Sequence, residues 1–95
     1  MNVFPLLEEA IETRSIVAIG YKGSRREVEP HLLGTNLKGN LVLSAFQLTG
    51  GSGTNFRSYL VNEITFAEAT GESFLGPRSG YNPNDETMSN ILVRL

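Results

Sequence analysis

Cysteine is absent from this 95-residue chain. That absence removes disulfides, zinc–thiolate centres and thiol nucleophiles together, and a disulfide-free domain of this size fits the cytoplasm best. No apolar run approaches the roughly 18 residues that would cross a bilayer. The N-terminus lacks a basic segment followed by a long apolar one, so no signal peptide is expected. Histidine occurs once, at His31, and without a cysteine or a second histidine no metal site is expected; no cofactor is expected either. The serines do not stand in a nucleophile-elbow pattern, a single histidine makes no hydrolase triad, and the acidic residues form no metal-ligand motif. The chain is therefore expected not to be an enzyme. The stretch Gly50-Gly51-Ser52-Gly53-Thr54 lacks the Lys-Ser/Thr pair and following helix of a phosphate loop, and reads as a flexible hairpin connection.

What is present describes one small domain. At 40% apolar and 19% charged residues the composition is that of an ordinary globular protein. A chain this short buries roughly 60–65% of its unfolded surface, enough for one modest core. The net charge of −2 conceals a pattern. The middle, residues 14–57, holds six basic residues (Arg14, Lys22, Arg25, Arg26, Lys38, Arg57) against Glu27 and Glu29. Glu8, Glu9 and Glu12 precede it, and the remainder is acidic in balance. A mildly positive central face suits a small anionic ligand. Non-specific binding to a nucleic-acid backbone usually needs a stronger basic excess.

Residues 3–14 have the spacing of a helix: Phe4, Leu7, Ala10 and Ile11 share a face, Asn2 can cap it, and Pro5 falls in the first turn, where its missing N–H does little harm. The period then changes. Residues 15–21 are β-branched and apolar, and Lys22-Gly23-Ser24 reads as a hairpin turn. A second strand covers 25–29, is bent or ended by Pro30, and resumes over 31–35; a turn follows at 36–40. Residues 41–48, 56–61 and 63–69 give three more strands. Five short antiparallel strands over 16–69 with tight turns predict a partly closed SH3-like or Sm-like β-barrel, mainly β with flanking helices. Residues 70–95 read as an extended, turn-rich tail pinned by Phe74, then a short helix from Pro83-Asn84-Asp85 with Met88, Ile91, Leu92 and Leu95 on one face. Ile91-Leu92-Val93 also suits a strand. Nothing divides the chain into two domains.

The strand ending in Tyr21, the Gly turn, the element Arg26-Glu27-Val28-Glu29-Pro30, and the later Arg57-Ser58-Tyr59 together resemble the WYL domain, a bacterial SH3/Sm-like barrel module. The similarity covers residues 16–68. The family's Trp-Tyr-Leu position reads Leu41-Val42-Leu43 here, and Leu60 and Glu63 stand where the family carries further basic residues. The resemblance implies a stand-alone, divergent WYL-like protein: a non-enzymatic ligand-sensing or regulatory module of the kind that usually sits behind a DNA-binding helix-turn-helix and senses small or nucleotide-type ligands.

Read on the residues alone, the candidate binding side chains are Tyr21, Arg26, His31 and Arg57. Two planar guanidinium groups at one barrel mouth suit a phosphate or carboxylate; the competing reading pairs each with a carboxylate such as Glu29 or Glu63. His31 is able to donate to a ligand or switch with pH, or to satisfy local backbone after Pro30. Tyr21 offers a stacking face or a barrel-wall aromatic with its hydroxyl at the rim. Gln47 interrupts an apolar strand and can point into the mouth. Phe46 and Tyr59 read as core or wall, and Arg78 as part of a structural brace. Two alternatives stay open: an Sm-like interaction module forming homo-oligomers through edge strands, and single-stranded nucleic-acid binding through aromatic and basic side chains. No membrane partner is expected.

Overall fold

The computed structural model describes residues 2–50 and 54–95. The expected flexible loop after the third strand lies partly outside the described residues. Helix α1, Phe4–Thr13, opens the chain. Six strands follow: β1 (Ser15–Tyr21), β2 (Ser24–Asn36), β3 (Leu41–Gln47), β4 (Asn55–Leu60), β5 (Ile64–Ser73) and β6 (Met88–Arg94). A single 3-10 turn, Val61–Glu63, links β4 to β5. Among the described residues no helix is long and apolar enough to cross a membrane.

The helix forms as its spacing predicts, and it buries Leu7, Ala10 and Ile11. Asn2 Oδ1 accepts the Phe4 N–H at 3.1 Å. The helix ends at Arg14, which adopts a left-handed conformation with φ 56°. The Arg14 guanidinium then donates to the Leu75 carbonyl at 3.0 Å, tying the helix exit to the tail.

All the strand pairs are antiparallel, in the order β4-β3-β2-β1-β5, with β6 added to β2. β1 lies between β2 and β5, and every residue from Ile16 to Tyr21 is buried, which accounts for its unbroken apolar run. The organising strand is β2. Residues 24–28 pair with β1, 28–35 with β3, and 32–36 with β6. The change of partner comes at Pro30. Proline has no N–H to give a ladder, and the β3 register slips between Pro30 and Leu32, leaving His31 as the extra residue of a bulge. A bulge bends its strand, so β2 leaves β1 and takes β6 along the same edge.

Two expectations need correction. The sheet has six strands rather than five, and among the described residues it stays open, with β4 and β5 as its end strands. The expected C-terminal helix is strand β6. Met88, Ile91, Leu92 and Leu95 do fall at helical spacing, but the edge of β2 beyond the bulge carries backbone groups that need partners, and β6 supplies them. Gly34 permits the docking: a Cβ there would run into the Asn90 carbonyl and lie 3.0 Å from Met88 Sδ.

The main core packs Leu7 and Ile11 of α1 against Val17, Ile19, Val28, Leu33, Leu43 and Tyr59. A second cluster lies on the other face of the sheet, where Leu32, Val42 and Met88 pack with Leu60, Tyr81 and Ile91 under the tail. The candidate side chains divide between these two faces.

Candidate functional site

The first face carries an arginine set among two tyrosines. Arg26 stands opposite Ile19 across β1, Arg57 opposite Ala45 and Tyr59 opposite Leu43 across β3; all three partners are core residues. Side chains of directly opposed residues share a face, so register alone brings Arg26, Arg57 and Tyr59 to the same side. The Tyr21 and Tyr59 rings meet edge-on, with centroids 4.9 Å apart and planes at 88°. The Arg26 guanidinium carbon lies 5.4 Å from the Tyr21 centroid and 6.0 Å from that of Tyr59, within the range where a cation feels the ring quadrupole.

Hydrogen bonds hold this arrangement. Arg26 Nε donates to Ser24 Oγ at 3.0 Å, and Nη1 to Gln47 Oε1 at 3.2 Å. The Tyr59 hydroxyl donates to the same Gln47 oxygen at 2.6 Å, while the Tyr21 hydroxyl accepts the Leu60 N–H at 3.1 Å. Tyr59 and Gln47 are fully buried, Tyr21 is nearly so, and Arg26 and Arg57 are half-buried. Burial pushes the Tyr59 phenol above its usual range, while a hydrogen bond from Arg26 and the charges of Arg26 and Arg57 pull the other way. Among the described residues, the hydrogen-bond partners of Arg26 are neutral oxygens and it makes no ion pair. Arg57 also borders a hollow of about 200 Å³ with Phe56, Tyr81 and Asp85.

The second face carries His31, which the structure does not bring to this cluster. His31 is fully buried. Its Nδ1 sits 2.7 Å from the Glu29 carbonyl, and its Nε2 accepts the Arg78 backbone N–H at 3.1 Å. The carbonyl can only accept and the amide can only donate, so the network assigns the neutral tautomer with its proton on Nδ1. Phe74 stacks on the ring at 5.5 Å and 14°, and Phe56 and Tyr81 meet it edge-on. Burial lowers the His31 pKa, and the Arg78 charge adds to this; the Glu29 carbonyl bond and the Glu29 charge oppose it. Beside it the buried Glu29 carboxylate takes a two-pronged bond from Arg78, 2.8 Å from Nε and 2.9 Å from Nη2. The Arg78 guanidinium also lies 4.6 Å over the Phe46 ring. His31, Glu29 and Arg78 thus form a clasp that fastens the tail to the sheet. A groove of about 540 Å³ runs beside it, lined by Glu29, Phe74, Pro77 and Arg78.

Of the four side chains expected at one mouth, Tyr21, Arg26 and Arg57 share the first face and His31 takes a structural place on the second. Glu29, considered as a partner for Arg26 or Arg57, belongs to Arg78. Gln47 is the hub of the first cluster, and its signal was a lone amide in an apolar strand. Among the described residues no group of three or more acidic or histidine side chains is placed to hold a metal ion. Compared with protein-family models, with curated proteins and with solved structures, the chain matches none.

Proposed function

We propose that this chain is a non-catalytic, WYL-like ligand-sensing or regulatory module that takes a small anionic or nucleotide-like ligand at the Tyr21–Arg26–Arg57 cluster. The observation that carries this reading is the state of Arg26: a half-buried guanidinium against two tyrosine rings, whose hydrogen-bond partners among the described residues are neutral. Partly buried cations are usually paired with a carboxylate. Arg26 keeps donors for one, and the Arg57 charge reaches the same tyrosine. The bulge in β2 and its change of partner from β1 to β6 support describing the open sheet as a partly closed relative of the SH3/Sm barrel. A cytoplasmic setting belongs to the same proposal.

Replacing Arg26 and Arg57 together by alanine tests the assignment. Nucleotide and small-carboxylate binding should disappear while the circular dichroism spectrum keeps its β signature. A double variant that binds like the parent places the site elsewhere. A second reading rests on the sheet's edge strands β4, β5 and β6, each of which among the described residues has a strand partner on one side alone and can pair between copies. Sedimentation at two concentrations separates the readings, since a strict monomer argues against assembly.

A further inference from the structure

Gln47 is fully buried on the third strand and carries a half-used amide. Its Oε1 accepts from the Tyr59 hydroxyl at 2.6 Å and from Arg26 Nη1 at 3.2 Å. The Arg26 guanidinium, which can only donate, fixes the amide's orientation, because the flipped group would turn its NH2 against it. The other half of the amide, Nε2, is buried and has no hydrogen-bond partner among the described residues. Buried donors are nearly always paired, and leaving one unpaired costs more than a typical bond contributes. The Tyr59 hydroxyl and Arg26 account for the amide oxygen but not for the Nε2 donor. The group lacking is an acceptor.

The surroundings select its charge. The same amide oxygen is held by the Arg26 guanidinium, and Arg57 adds positive charge at Tyr59. A negatively charged acceptor is stabilised in such a field, and most of all where water is scarce. We infer that Gln47 is a ligand-contacting, specificity-determining residue whose Nε2 donates to one oxygen of an oxyanion group, carboxylate or phosphate, on the ligand. This rests on the binding function proposed above and adds a neutral donor to its two cations. Arg26 and Arg57 attract any anion; Gln47 favours one that brings an acceptor oxygen to Nε2. The competing occupant is a structural water, which buried polar groups often hold.

Gln47 is the sole glutamine of the chain, so glutamine-selective 15N labelling yields a single side-chain NH2 pair. The full chain is titrated with inorganic phosphate and, separately, with acetate at constant ionic strength, and melting temperature is read in parallel. The Gln47 NH2 signals should move saturably with at least one of the two, and the stronger identifies the anion class. Gln47→Glu keeps an oxygen for Tyr59 and Arg26 but replaces the donor by a second acceptor; it should weaken that binding by about tenfold or more. If an anion raises the melting temperature through Arg26 and Arg57 while the Gln47 signals stay fixed, or if Gln47→Glu binds like the parent, the inference is overturned and the arginine site stands. If neither anion changes the melting temperature or the signals, the arginine site falls and the inference with it, leaving water as the occupant.

Discussion

Acidification should loosen this fold through one residue. His31 is held neutral, with its proton on Nδ1 toward Glu29 and its Nε2 occupied by the Arg78 N–H. A second proton has to displace that bond and charge a fully buried ring next to a guanidinium. The folded-state pKa is accordingly lowered from 6.5, with burial as the leading cause. The sign follows. Above about pH 6.5 the ring is neutral in both states and contributes no slope. Below it the unfolded chain takes up a proton before the folded one does, so stability falls as pH drops from about 6.5 toward the folded pKa. The loss is at most about 1.4 kcal/mol per pH unit, the limit for one proton. For a domain of this size each kcal/mol corresponds to roughly 4–8 °C in melting temperature. The assay is urea unfolding at half-unit steps between pH 5 and 8, on the parent and on His31→Gln. Because His31 is the sole histidine, the difference in slope between the two proteins belongs to it. Parallel curves, or a parent that gains stability on acidification relative to His31→Gln, would refute the buried neutral clasp.

Three further outcomes are expected. Arg78→Ala leaves the Glu29 carboxylate buried without its cation and should lower the melting temperature, and Arg78→Lys should restore only part of it, because an ammonium cannot reproduce the two-pronged bond; full rescue by lysine would contradict the geometry. Gly34→Val forces a side chain into the Asn90 carbonyl and the Met88 thioether; a loss of about 1–3 kcal/mol in urea unfolding is expected, and amide exchange should rise selectively along β6, so unchanged exchange there would argue against the β2–β6 pairing. Leu43→Ala, at a fully buried position of the main core, should cost about 2–5 kcal/mol by the same assay, and a cost below that range would place Leu43 outside the core.

Much of this architecture was legible because its signals are local. The helix follows from Phe4, Leu7, Ala10 and Ile11 together with Pro5. The first strands follow from β-branched runs separated by Gly23 and by the 36–40 turn. Tyr21, Arg26 and Arg57 met on one face because strand alternation and hairpin register suffice to bring them together. The failures are non-local. Residues 88–95 have a spacing that serves a helix or a strand equally, and the choice was made by the edge of β2 left open beyond the Pro30 bulge, more than 50 positions away in sequence. Gly34 was the trace of that docking, visible only once a neighbour is known. His31 stood among the candidates as the one histidine, with local backbone satisfaction after Pro30 as the competing reading; the bulge takes it out of the alternation, the Glu29 carbonyl and Arg78 N–H occupy its ring nitrogens, and the tail residues Phe74 and Tyr81 pack on it. The Glu29–Arg78 pair spans a separation of 49 residues, which no local pattern announces.

The most direct test is thermal unfolding of the parent and the Arg26→Ala/Arg57→Ala variant against nucleotides, linear and cyclic oligonucleotides and small carboxylates, at low and physiological salt. A ligand that binds only the folded state at a hundredfold excess over Kd adds about 2.7 kcal/mol, a rise of roughly 10 °C or more for a domain of this size. The account predicts such a rise for at least one anionic compound in the parent and none in the variant. A flat response across the panel, or an equal rise in both proteins, would contradict it.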